Sequence, residues 1–312
     1  MQIQTLKYLV EIAKTGSINQ AARNLYVSQP HLSRTLKDIE QTSNVIIFQR
    51  TSKGVELTQE GQKFMAHVYR LLEEYQNLED TFFNGKQGET VTLKVATQRY
   101  SPVISAFLEF YKKCAADTEY VNLAIYEDTM ENIVKLVSEQ IYNVGVVHIL
   151  KSNESGFLNM LRAANIHYTL TEDSPIYVQI NRNHPLSQMK EIRLKDLQSY
   201  PYATFADENV TNINYCCDVQ KYNKDVLKKR IIIQDRGTLH SVLSLTDAYH
   251  LGTDVSFASR AIPDNLCYIP LVDTKDRILT YWLCMDGVPM TEYEQALFDI
   301  YRELQRDHKD KV

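Results

Sequence analysis

The sequence predicts a multidomain α and α/β protein: an N-terminal winged helix-turn-helix, a long linker helix, and a two-lobed α/β body. Three observations carry that expectation. Residues 17 to 41 read as two short helices across a tight turn; apolar residues then recur at heptad spacing from Phe64; from Thr90 strand-like and helical periods alternate. A chain of 312 residues is comfortable for two or three domains.

Residues 2–15 read as a first helix, with Leu6, Leu9, Val10 and Ala13 turned toward the pair that follows and Gly16 ending it. Ser17 is placed as an N-cap, and Gln20 completes an S-x-x-Q capping box. Ala21, Ala22 and Leu25 give the second helix a small, flat face; Tyr26 and Val27 form the connection. Ser28 caps a third helix, and Pro30 suits its first turn. Leu32, Leu36 and Ile39 make one side of it apolar, while Gln29, His31, Ser33, Arg34 and Lys37 present amides, hydroxyls and cations on the other. Such a helix has the dimensions and chemistry to enter a major groove. A solvated helical hairpin would show the same pattern. Val45–Phe48 and Gly54–Leu57 read as the strands of a wing around Arg50, Thr51, Ser52 and Lys53, a basic tip suited to phosphates. The candidate DNA contacts are Ser28, Gln29, Pro30, His31, Ser33, Arg34, Lys37, Arg50, Thr51 and Lys53.

Thr58 is placed to cap the next helix. Along it Phe64, Val68, Leu71, Tyr75, Leu78 and Phe82 fall at intervals of 4, 3, 4, 3 and 4. That seam is expected to pair with a second copy of the chain; packing on its own domain is the alternative. Residues 84–89 are polar with two glycines and read as a hinge.

From Thr90 the pattern is β-α-β-α-β: strands at Val91–Val95, Leu123–Ile125 and Val144–Ile149, helices from Ser101 to about Cys114 and from Glu131 to Tyr142. That order requires parallel strands. A similar unit begins at Ile176–Ile180, with strands at Tyr202–Phe205, Arg230–Gln234 and Asp254–Phe257 and a helix at Leu239–Tyr249. Ile278–Cys284 returns as a strand, and Thr291–Gln305 closes the chain as a helix. The expected division is 1–58 for the head, 59–89 for the linker and hinge, and 90–312 for the body, with lobe 1 at about 90–168 and 272–306 and lobe 2 at about 175–266.

The net charge of −5 is unevenly spread: residues 1–60 hold seven Lys or Arg against five Asp or Glu, a balance of +2, which leaves −7 on the remainder. A mildly basic head on an acidic body fits DNA contact through one small module, multiplied by oligomerisation. No apolar run is long enough to span a bilayer and the first residues lack a signal pattern, so a cytoplasmic protein without membrane contact is expected. There is no Gly-rich phosphate loop, G-x-S-x-G, H-E-x-x-H, paired carboxylate motif or metal-ligand spacing, so neither catalysis nor a cofactor is expected. Five cysteines (114, 216, 217, 267 and 284) without a C-x-x-C pair indicate neither a disulfide framework nor a zinc site, and Cys216 and Cys217 read as buried, inert thiols.

Leu6, Leu9, Gly16-Ser17, Ala21-Ala22, Leu25, Ser28-Gln29-Pro30, Ser33-Arg34, Ile39-Glu40, Phe48, Arg50, Leu57-Thr58 and Gly61 together resemble the N-terminal signature of the LysR-type transcriptional regulators. The match is ungapped over about sixty residues; Ser43, Asn44 and Ile47 stand where the family usually shows Leu, Gly and Leu. Asn tolerates the left-handed conformation, so Asn44 can hold a helix-ending glycine position. A weaker resemblance continues through His184-Pro185-Leu186 and Leu194-x-Asp196-Leu197, although Asn143 replaces the family's common Asp. It implies that the heptad helix dimerises, that a pair of dimers forms a homotetramer on operator DNA, and that a small-molecule effector controls it. RNA polymerase is a candidate further partner.

The two lobes resemble the type 2 periplasmic-binding fold, with crossovers near 168–175 and 266–272. Such lobes bind ligand at the carboxyl ends of their strands. By that rule Arg99, Tyr100, Ser101, Thr129, His148, Phe205 and Thr238 are the candidate effector-binding residues, with Gln98 and Asp128 beside them. Two rival readings stand alongside: a small-molecule-binding or enzymatic α/β protein whose head only oligomerises it, and a thiol redox sensor.

Overall fold

A computed structural model describes residues 2–51, 54–82, 90–116, 118–206, 229–256 and 262–309, without the side chains of 73, 77, 80–82 and 307–309. Ser52, Lys53, the hinge 84–89, Cys216, Cys217 and Phe257 lie outside the described residues, as does the side chain of Phe82.

The head is built on α1 (Ile3–Thr15), α2 (Ile18–Asn24) and α3 (Gln29–Ser43). Their apolar positions meet in one core of Leu6, Leu9, Ile12, Ala21, Ala22, Leu32, Leu36 and Ile39. Burying Leu32 completely contributes roughly 1.5–3 kcal/mol. Gly16 ends α1 at φ 61°, and Asn44 ends α3 at φ 54°, so Asn does hold the left-handed position. Ser17 accepts the Gln20 amide, but the Gln20 side chain donates to Asn24 Oδ1 at 2.8 Å. The capping box is therefore only half formed: an exposed amide one turn on is the easier partner.

The wing is β1 (Phe48–Thr51) paired antiparallel with β2 (Gly54–Leu57). The first strand starts three residues later than the periodicity suggested. Glu40 accepts the amides of Ile47 and Phe48 at 2.7 and 3.0 Å, which takes the approach to the strand out of the ladder. Arg50 and Thr51 thus stand on a strand rather than at the tip.

α4 (Gln59–Phe82) follows, capped by Thr58, which accepts the Gly61 amide at 2.8 Å. A Cβ at Gly61 would come within 2.0 Å of the Ile47 carbonyl oxygen, so glycine permits the helix to touch the wing. Val68 is buried in the head core and Phe64 packs against it. The seam's first half is intramolecular; Leu71 and Leu78, 45% and 48% exposed, lie beyond that core. α4 also rests on the body: Ala66 packs with Met285 and Val288, Gln59 donates to Asn165 at 2.7 Å, and Arg70 pairs with Glu294 at 3.4 Å.

The body has two lobes. In lobe 1, β3 (Thr90–Thr97) lies parallel to β4 (Tyr120–Glu127) and β5 (Val144–Leu150), joined by α5 (Ser101–Phe110) and α6 (Met130–Ser138). α7 (Glu154–Ala163) then leads to β6 (Ile166–Pro175), neither anticipated from the sequence. The mixed composition of 166–175 carries no clear period, and pairing with a returning strand makes it regular. In lobe 2, β7 (Tyr177–Asn181), β8 (Tyr202–Phe205), β9 (Arg230–Ile233), α8 (Arg236–Leu245), β10 (His250–Gly252) and β11 (Leu266–Pro270) follow. β12 (Arg277–Met285) returns between β5 and β6, giving the order β4-β3-β5-β12-β6, and α9 (Glu292–Lys309) packs on α5.

Lobe 2 does not repeat lobe 1. Its strands split into antiparallel β10-β7-β11 and parallel β8-β9. Of the strand expected at Asp254–Phe257, the described residues 254–256 are not strand; the strand lies earlier, at β10, and Asp254 accepts the Ser256 amide. α8 starts three residues earlier than expected because Asp235 caps it, accepting the Thr238 amide at 2.8 Å. The lobe crossovers are correspondingly short, at 176 and 271–276, since β6 and β11 occupy the segments expected to cross.

Candidate functional site

Two surfaces carry functional chemistry, and the first is the outer face of α3. Packing of Leu32, Leu36 and Ile39 fixes which side of the helix faces solvent, leaving Gln29, His31, Arg34 and Lys37 exposed. Gln29 donates to Ser33 Oγ at 2.7 Å, which orients both polar ends along the face. His31 stands edge-on to Tyr8, 6.0 Å between ring centroids. Ser28 is spent as the cap, accepting the His31 amide, and Pro30 is exposed beside it. Arg34, Lys37 and, on the wing, Arg50 make no hydrogen bond or ion pair among the described residues. Thr51 donates weakly to Glu56 at 3.5 Å. The arrangement presents donors and cations outward on a rigid support.

The second is a cavity of about 60 Å³ between the lobes. Lobe 1 contributes Gln98, Arg99, Tyr100, Ser101 and His148 from the ends of β3 and β5; lobe 2 contributes Gln179, Phe205, Arg236, His240 and His250. Five expected residues, Arg99, Tyr100, Ser101, His148 and Phe205, therefore meet. Thr129 and Thr238 do not line it. Thr129 caps α6 by accepting the Asn132 amide, and Thr238, in the first turn of α8, donates to Asp235 at 2.6 Å.

Tyr100 donates to Glu172 at 2.5 Å, and burial together with that carboxylate pushes its hydroxyl well above the usual range. Gln98 accepts the His148 amide at 2.6 Å, and the imidazole lies 5.5 Å from the Tyr100 ring. Burial, with His250 and Arg99 nearby, lowers His148 to about 4; burial, then Arg236 and His250, does the same to His240. Both imidazoles are neutral near pH 7. Arg99 reaches from lobe 1 to the Gln234 carbonyl at 3.0 Å, its guanidinium 4.5 Å from the Phe205 ring centroid. Asp128 points its chemistry elsewhere. Burial would raise its pKa, but hydrogen bonds from Thr129, Asn132 and Tyr126 win and hold it low, at the start of α6.

Arg236, His240, His250 and Gln179 were not legible as site residues. An Asp-x-x-Thr cap at 235–238 was the available signal for Arg236; His250, on a three-residue strand, offered none. Among the described cysteines, burial raises Cys267 and pushes Cys284 up to about 11, so both are held as thiols. Among the described residues no helix is long and apolar enough to cross a membrane.

Residues 3–62 match the family described as bacterial regulatory helix-turn-helix protein, lysR family. The chain is similar to the uncharacterised HTH-type transcriptional regulator YnfL of Escherichia coli K12, 24% identical over 286 residues and 91% of each chain. It is 26% identical to the HTH-type transcriptional regulator AlsR of Bacillus subtilis 168 over 67% of this chain, an alignment that spans 65% of AlsR. Among solved structures, a full-length OxyR variant from Pseudomonas aeruginosa superposes with a TM-score of 0.50 at 17% identity, covering 100% of this chain and 98% of that one. That likeness shows the multidomain fold.

Proposed function

We propose that this chain is a LysR-type bacterial helix-turn-helix regulator, a one-component switch in which the head reads an operator and the inter-lobe cavity receives the signal. The observation that carries it is the outward face of α3, whose Arg34 and Lys37 are exposed and engaged by nothing described. Gln29, His31, Ser33 and Arg34 read base edges, Ser28 and Pro30 set the approach of the helix, and Lys37, Arg50, Thr51 and Lys53 hold phosphates. Two heads are brought to a two-fold operator by pairing of α4 through Leu71, Tyr75, Leu78 and Phe82, in a dimer and then a tetramer of this chain. RNA polymerase is the further partner a cytoplasmic regulator of this kind would meet.

The effector is a small molecule that touches Arg99, Tyr100, Ser101 and His148 from lobe 1 and Phe205 from lobe 2. Ser101 is 3% exposed in the cavity wall, at the start of α5, and makes no hydrogen bond through its hydroxyl among the described residues. With two arginines and no carboxylate among the described lining residues, the cavity favours an anion. Relatives named as transcriptional regulators stand against an enzymatic reading. The test is selection of duplexes from a random pool by the full chain. A two-fold motif should emerge, with affinity falling steeply in salt. An unenriched pool, with binding insensitive to salt, would contradict the reading.

A further inference from the structure

Arg236 is the first residue of α8 in lobe 2 and lines the cavity, yet its guanidinium is already engaged across the cleft. Its Nε donates to Oε1 of Glu127, the last residue of β4 in lobe 1, at 2.7 Å, with the two side chains 20% and 25% exposed. Glu127 is not part of the cavity wall; it reaches Arg236 from the edge strand of the lobe 1 sheet. Among the described residues, Asp235 caps α8 by accepting the Thr238 amide, and Asp128 accepts the Thr129 amide at the start of α6. A charge-assisted bond shielded to this degree is strong, and it joins bodies that a ligand must rearrange.

We infer that Glu127 occupies Arg236 in place of the acid group of the effector, and that an anionic small molecule enters by exchange for it. This rests on the effector reading above and adds its chemistry. The exchange conserves charge on Arg236: one carboxylate leaves for the sheet edge and solvent, and another arrives from the cavity. Because the departing group belongs to lobe 1, ligand binding breaks an inter-lobe contact. That gives the two lobe arrangements different affinity for the ligand, which a switch requires. Glu127 thereby acts as a built-in competitor that sets effector affinity.

The experiment uses the full chain as wild type, Glu127→Gln, Glu127→Asp and Arg236→Gln, melted while sodium acetate or sodium phosphate replaces sodium chloride at constant ionic strength. Acetate is small enough for a cavity of about 60 Å³. For at least one anion, Glu127→Gln should need a tenfold or more lower concentration than wild type for half of the stabilisation. Glu127→Asp, which keeps the charge, should stay near wild type, and Arg236→Gln should not respond. Equal responses of Glu127→Gln and wild type, a normal response of Arg236→Gln, or no response to either anion would overturn the exchange. Selected operator duplex added to the same samples separates the two ideas: anion binding that leaves operator affinity unchanged sinks the effector reading and leaves the exchange standing.

Discussion

The head and the cleft use the same kinds of side chain in opposite ways. On α3, Arg34 and Lys37 are exposed and engaged by nothing described, so their donors are available to a partner at no cost in broken contacts. In the cleft, Arg99 and Arg236 each already bridge the lobes, to Gln234 and to Glu127. A surface that binds a large polyanion gains from readiness. A cavity that must tell two states apart gains from contacts that a ligand has to replace. On the proposed reading, that contrast puts affinity in the head and control in the body.

The largest effect should come from separating two heads. Changing Leu71 and Leu78 together to Glu puts like charges into the exposed half of the α4 seam. Sedimentation should show loss of the pairing, and operator affinity should fall by about 10²–10⁴-fold as avidity is lost. Val68→Glu is a different experiment, since that residue is buried in the head core and its change should unfold the head instead. Intact assembly and operator binding in the double variant would place pairing elsewhere.

A smaller effect should set the cleft apart from the head. His148 and His240 stay neutral in the folded chain until about pH 4 but protonate near their ordinary 6.5 when unfolded. As pH falls from 6.5 toward 4 the unfolded chain therefore takes up protons first, and stability declines. On partly shielded groups the loss is on the order of 1–3 kcal/mol. Denaturant unfolding at pH 7 and 4.5 measures it, and His148→Gln should flatten the difference. An unchanged slope in that variant removes His148 as a source.

The smallest effect concerns the cap of α2. Ser17→Ala should cost about 1 kcal/mol, whereas Gln20→Ala should cost only a few tenths, because the Gln20 side chain turns forward to Asn24. Equal losses in thermal melts would restore the reciprocal capping box.

The same contrast explains what could be read without coordinates. The head is local: caps at Ser17 and Ser28, the Leu32–Leu36–Ile39 stripe and the stop at Asn44 lie within a few residues of what they determine. The first three parallel strands of lobe 1 were legible for the same reason, through period and order. β6 was not, since its regularity comes from pairing with β12, more than a hundred residues on. Phe64 and Val68 fit the heptad as well as Leu71 does, and only their place in the head core separates them. In the cleft the strand-end rule found Arg99, Tyr100, Ser101 and His148, but the same rule also chose Thr129 and Thr238, whose hydroxyls are spent on helix starts. Arg236 escapes that rule because the sequence pattern starts the helix at Leu239, three residues after it.

The central claim is that α3 reads DNA, and Arg34 tests it most directly. Anisotropy of a labelled, selected operator titrated with the full chain should show Arg34→Ala binding weaker by about 1–3 kcal/mol, with sequence preference relaxed at one position and oligomeric state unchanged. Affinity and preference equal to wild type would contradict the account.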